Sequence, residues 1–236
     1  MRAMNTLLLL LLDSRAPAGA HQHSGGMEAA VGTGLVTGLA GLEDFCRARL
    51  RTSGLVSAAF AAAACQLQSD SPERDVARAA DQWAELDREF EARTPSEAMR
   101  TASRQQGGAL IRLLRSVLPE AGPVTPWTSG AGPKPHHPLV LGAGVALAGG
   151  TPELAARAAA LAACAGPASA AVRLLGLDPF AVQAMLARLA PGVDECASAA
   201  AAAAAGPVCS LPAGAAPALD LLADYHLTAE VRLFAS

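Results

Sequence analysis

Along most of the chain the apolar positions fall at helical spacing. Trp83, Leu86 and Phe90 recur three and four residues apart, as do Leu110, Leu113, Leu114 and Val117, and again Val182, Met185, Leu186 and Leu189. Each set forms a stripe on one side of a helix, the pattern of a helix that buries one face. Helix starts are equally marked. Ser71-Pro72, Thr94-Pro95, Thr151-Pro152 and Asp178-Pro179 each join a side chain that accepts from first-turn N–H groups to a proline at the first helical position, where no N–H is needed. Glu97, three residues after Thr94, completes an expected capping box. No run of alternating apolar and polar residues competes with these stripes, so the pattern predicts an all-α fold of about eight to ten helices.

Two breaks interrupt the pattern. Residues 119–135 hold Pro119, Pro123, Pro126, Pro133 and Pro135 among several glycines, and residues 206–217 form a shorter break of the same kind. Neither half would bury its stripes as well alone. The expected organisation is one helical domain over residues 1–236, with a surface loop at 119–135 and a C-terminal tail at 207–236. The polyalanine stretch Ala199 to Ala205 favours a helix end.

Composition sharpens this picture. Hydrophobic residues make up 52% of the 236 and charged residues 17%, which excludes a disordered chain. Aromatics are only 3%, so Leu, Val and Ala must fill the core at close helix contacts. The net charge is −3, Lys134 is the single lysine among 18 basic residues, and no basic cluster occurs, so a nucleic-acid partner is not expected. The five cysteines, at 46, 65, 164, 196 and 209, include no C-x-x-C pair and read as buried small hydrophobes in a reducing compartment. Arg2, the run Leu7 to Leu12 and Ala16-Pro17-Ala18 mimic a secretion signal. The run is short for one, and Asp13 and Arg15 interrupt it, so the expectation is a cytoplasmic protein with a buried first helix. No window is expected to reach the roughly 20 strongly apolar residues that span a bilayer.

Candidate chemistry is sparse. Leu139 to Gly144 imitates the strand and turn of a dinucleotide site, but Leu147 stands where the third glycine is needed, and a small-residue helix face is the expected reading. Lys134 lies between Pro133 and Pro135, where no phosphate-cradling Walker loop can form. His21, His23, His136, His137 and His226 are of a type that suits nickel or zinc, yet no recognised ligand spacing joins them, so they are expected to be polar groups at loop–helix junctions. No resident metal and no cofactor is expected.

The stretch from Asp13 through Pro17, Gly19, His21, His23 and Ser24 to Glu28 is the most informative. Proline and glycine force a turn there, Ser24 can cap the next helix, and Glu28 suits its positive end. This stretch resembles the N-terminal signature of the UreF family of urease accessory proteins, D-S-x-x-P-x-G-x-x-x-H-S-x-G-x-E after a leucine-rich helix. Arg100 to Gly107, with Ser103 and Arg104, is similar to that family's central R-x-A-S-x-x-x-G helix. His137-Pro138 resembles the segment that opens its second half. Asp220-Leu221, His226 and the ending Arg232-Leu233-Phe234-Ala235-Ser236 resemble its closing pattern. His21 and Gly25 stand where many members carry aromatics.

The resemblance implies an all-α homodimer that is not an enzyme. It implies an adaptor that joins UreD (also called UreH) and the GTPase UreG on apo-urease, where GTP hydrolysis drives nickel insertion. Pro17, Gly19, His21, His23, Ser24, Glu28, Arg100, Ser103, Arg104, Gly107, Asp220, His226, Arg232, Leu233 and Phe234 then become candidate partner-binding residues. Arg100, Arg104 and Arg232 are the candidates for an arginine finger acting on UreG. The alternative reading is a metallochaperone that itself holds nickel through His21, His23, His136 or His137.

Overall fold

The computed structural model describes residues 6–13, 23–70, 76–118, 134–214 and 216–227. They form α1 (Thr6–Leu12), α2 (Met27–Gly32), α3 (Leu39–Arg51), α4 (Ser53–Asp70), α5 (Val76–Ala92), α6 (Glu97–Val117), α7 (His137–Leu147), α8 (Pro152–Leu175), α9 (Pro179–Ala204), a 3₁₀ turn at Val208–Ser210, and α10 (Pro217–Leu227). No strand occurs among the described residues, and the fold is all-α. The break at 119–133, the Ser71-Pro72 start and the tail beyond residue 227 lie outside them.

The core is organised around α4. Val56, Ala58, Ala59, Phe60, Ala61, Ala62, Ala64 and Cys65 are all buried, so this helix is apolar around its whole girth. A helix of that kind has to be surrounded, and α7, α8 and α9 pack upon it. Alanine and glycine set how close they come. A Cβ at Gly142 of α7 would lie 2.1 Å from the Ala61 carbonyl oxygen of α4, so glycine alone allows this spacing. The segment Leu139 to Gly144 is thus a small-residue helix face, as its sequence predicts.

Most element signals hold. Thr151 Oγ1 accepts from Leu154 N at 3.2 Å, and Asp178 Oδ1 accepts from Phe180 N at 3.0 Å, each capping its helix. Trp83, Leu86, Phe90, Leu110, Leu114, Val182, Met185 and Leu189 are buried, and the alanine tract closes α9. Val117 departs from its stripe and is exposed, because the helix ends there.

Three expectations change. The start of α6 is one, since Ser96 replaces Thr94 as its cap and accepts from Met99 N at 3.2 Å. The carbonyls of Thr94 and Pro95 instead receive Arg100 Nη1 at 2.8 and 2.6 Å, and the Thr94 hydroxyl turns back to Phe90 O at the end of α5. The first helix is only half buried, with Leu8 and Leu11 inside and Leu9 and Leu10 exposed. Cys209 is exposed, whereas the other four cysteines are buried, and all five are free thiols. In addition, α8 is long and apolar enough to cross a bilayer by length and composition. Its buried alanines pack toward α4 and α9, and 39% of that apolar stretch is buried.

Because Gly142 has no room for a Cβ, Gly142→Ala should cost about 1 to 3 kcal/mol by forcing α7 off α4. Chemical denaturation checks this, with a lowered midpoint expected; an unchanged midpoint would refute the contact.

Candidate functional site

The site begins with an arginine on the wrong face of its helix. Leu42, Phe45, Cys46, Arg49 and Leu50 share the buried stripe of α3, and Arg49 is only 8% exposed. What receives it is a proline. Pro167 stands inside α8 and has no N–H, so the Ala163 carbonyl one turn earlier lacks its helical donor. Arg49 Nε fills that place at 3.0 Å, and its Nη1 donates to Gly25 O at 2.8 Å. The guanidinium also lies 5.9 Å from the Phe45 ring centre. Burial pulls its pKa below the ordinary arginine value.

This bond to Gly25 fixes the N-terminal turn. Gly25 and Gly26 adopt φ of +61° and +87°, in the left-handed region that glycine tolerates. A Cβ on Gly25 would also press on Pro167 Cγ at 3.3 Å. The backbone therefore explains why no aromatic stands at position 25. Gly26, rather than Ser24, occupies the N-cap of α2, but Ser24 Oγ still accepts from Glu28 N at 3.3 Å. Glu28 lies in the first turn, where the helix end favours its charge.

Around Arg49 opens a cavity of about 190 Å³. The turn contributes His23, α6 contributes Met99, Ser103 and Gln106, α7 contributes His137 and Pro138, and α10 contributes Asp220. Four sequence segments that look unrelated thus share one wall. Ser103 Oγ accepts from His137 N at 3.2 Å, joining two of them. Burial and then the nearby His23 push the His137 pKa down to about 4, and burial also lowers that of His23. Both rings are neutral at pH 7.

Behind the cavity lies an ionic network. Arg104 Nη2 reaches Asp87 Oδ2 at 2.9 Å and pairs with Glu91, and Arg104 Nη1 donates to Lys134 O at 2.6 Å. His136 Nε2 lies 2.8 Å from Glu91 Oε2. Burial opposes the Glu91 carboxylate, yet the hydrogen bonds from His136 and Arg104 hold its pKa below the usual value. Burial lowers the His136 pKa, so the neutral ring donates from Nε2 and its buried Nδ1 has no partner. Asp87, Glu91 and His136 are close enough to hold a cation, but the Arg104 and Arg100 guanidiniums already pair the two carboxylates of this trio. The arrangement fits a brace from α5 through α6 to the start of α7 better than a metal centre.

At the open end, α10 is pinned to the start of α6. Ser96 Oγ donates to Asp224 Oδ1 at 2.6 Å, and the Ser96 backbone bonds the Asp220 carboxylate. Burial, then Asp224, raises the Asp220 pKa.

Among the sequence candidates, His23, Ser103 and Asp220 line the cavity and Ser24 is buried beneath the turn. Arg100 and Arg104 are committed to intrachain partners, Arg100 Nε lying 3.3 Å from Glu91 Oε1. Gly107 is buried, with space for no Cβ because Pro135 O would lie 2.0 Å away. His226 falls in α10, its side chain outside the described residues, as are Pro17, Gly19, His21, Arg232, Leu233 and Phe234. Sequence reasoning missed Arg49, Asp87, Glu91, Ser96 and Asp224. Two signals were available: a charge within the apolar stripe of α3, and acids at 87 and 91 whose four-residue spacing matches arginines at 100 and 104.

These features define a class: an all-α protein in which an N-terminal glycine turn, a central helix and a C-terminal helix enclose one mixed polar and apolar cavity. The sequence model of UreF matches residues 36–190. The chain is 44% identical over 230 residues to a urease accessory protein UreF of Mycobacterium marinum, covering 98% of each. It is 45% identical over 232 residues to that of Mycobacterium sp. (strain JLS), again 98% of each, and 43% over 220 residues to that of Mycobacterium tuberculosis (strain H37Rv), 93% of each. The chain belongs to the UreF family of urease accessory proteins.

The depressed histidines give a pH dependence of definite sign. Unfolded His137 takes its proton near pH 6.5 and the folded ring only near 4, so stability is full above about 6.5 and falls as pH drops toward 4. His23 and His136 act in the same direction, while Asp220 opposes them. Urea midpoints at pH 7.5 and 5 should show the loss, and His137→Gln should flatten it.

Proposed function

We propose that this chain acts without catalysis of its own, as a cytoplasmic adaptor that joins UreD/UreH and UreG on apo-urease and so supports GTP-dependent nickel insertion. The observation that carries the reading is near full-length similarity to proteins named for urease accessory work. The cavity adds support, because His23, Ser103, His137 and Asp220, drawn from all four segments that resemble the family, meet there. A homodimer is part of the proposal. Alanine-rich helical faces suit close protein contact, and an obligate interface typically buries more than about 2,000 Å².

For UreG, the arginine-finger role passes by elimination toward Arg232. Arg104 is held by Asp87, Glu91 and Lys134 O, and Arg100 by Glu91 and the Thr94 and Pro95 carbonyls. Neither could reach a nucleotide without first breaking these bonds. The reading as a nickel-holding metallochaperone draws on His23 and His137, which share a wall of the cavity. His136 is engaged with Glu91 and fully buried. Calorimetry with Ni²⁺ separates the two: a stoichiometric site tighter than about 1 μM, worth about 8 kcal/mol, would favour the metallochaperone.

Co-expression with UreD, UreG and apo-urease should yield a complex containing this chain, and its absence would overturn the adaptor reading. Removing residues 231–236 should leave a folded helical chain that no longer sustains urease activation; retained activation would refute the tail's role. His23→Ala should weaken capture of UreD more than it lowers the melting temperature, and equal capture would count against the turn.

A further inference from the structure

One charge in the cavity has no carboxylate in direct contact with it. Arg49 gives one N–H each from Nε and Nη1 to the Ala163 and Gly25 carbonyls and has no carboxylate partner among the described residues. Three of its five N–H donors therefore remain, two of them on Nη2. A guanidinium withdrawn from water in this way favours an anion, since the low dielectric strengthens any charge brought to it.

Two further donors without partners belong to residues that line the same cavity. The Ser53 Oγ is buried with no hydrogen-bond partner, and so is the Nε of Arg93, a side chain 10% exposed. Glu89 already neutralises Arg93 through Nη1, so this arginine brings a donor rather than net charge. Both residues line the cavity with Arg49. Asp220 lines it too; it acts on Arg49 through its charge without forming an ion pair, and it opposes a second anion. The remaining wall is largely apolar, with Val56, Phe90 and Pro138.

We propose that this cavity is a receptor for one small oxyanion, a carboxylate or a phosphate, held at the Nη2 edge of Arg49 with Ser53 and the Arg93 Nε–H as additional donors. The forked edge of a guanidinium matches two oxygens of either group. The apolar wall admits a small hydrocarbon body beside a carboxylate. The site draws on no partner protein, so its occupancy is measured on the isolated chain and stands or falls apart from the adaptor role.

The full chain is titrated at pH 7.5 and constant ionic strength with sodium acetate, sodium phosphate and, as control, sodium chloride, while the arginine Nε–Hε NMR signals are followed. Saturable shifts of the Arg49 and Arg93 signals with acetate or phosphate, absent with chloride, are expected. Whichever oxyanion binds more tightly identifies the planar or the tetrahedral ligand. Ser53→Ala removes a hydroxyl that makes no bond in the folded chain and should weaken binding about tenfold. Asp220→Asn should tighten it. Equal shifts with all three salts, or no saturable shift with either oxyanion, would overturn the site, as would unchanged affinity in both variants.

Discussion

A single buried guanidinium ties the functional end of this protein together. Arg49 reaches the carbonyl that Pro167 leaves without a helical donor and the carbonyl of Gly25, so the proline turn of α8 and the N-terminal turn hang from one side chain. Without it, the buried Ala163 carbonyl loses its donor, at about 1 to 3 kcal/mol, and the part-buried Gly25 carbonyl loses one as well. The proline and the arginine thus explain one another. A proline inside a helix normally costs stability, and here the vacated acceptor becomes the anchor of a site.

The rest of the architecture serves that end. The close packing of α4 with α7 sets where His137 emerges, and the bond from its N–H to Ser103 fixes the start of α7 against α6. Arg104, Asp87, Glu91 and His136 brace the same junction from behind. Arg100, Ser103 and Arg104, candidate partner contacts in the sequence, also serve as internal ties. The wall they hold is formed by His23, Ser103, His137 and Asp220, and α10 closes it through Ser96 and Asp224. For the proposed adaptor role, such bracing has value: a surface already in its binding conformation loses less entropy on association.

The sequence made the helical class legible because period and capping agree locally, as at Thr151 and Asp178. Thr94 misled because a capping pattern is a local rule, while Arg100 claims the neighbouring carbonyls from within the next helix. Arg49 was hidden for a related reason. An arginine in an apolar stripe is visible, but its acceptor lies 114 residues away. The family resemblance located His23, Ser103 and Asp220, though nothing in their spacing showed that they share a cavity.

The most direct test of this account is amide hydrogen exchange across the N-terminal turn in Arg49→Lys, which keeps the charge and loses the fork. Amides from Gly25 to Ala30 should exchange markedly faster than in the parent chain while those of α4 and α7 keep their protection. Undiminished protection at Met27 and Glu28 would contradict the claim that Arg49 holds the turn.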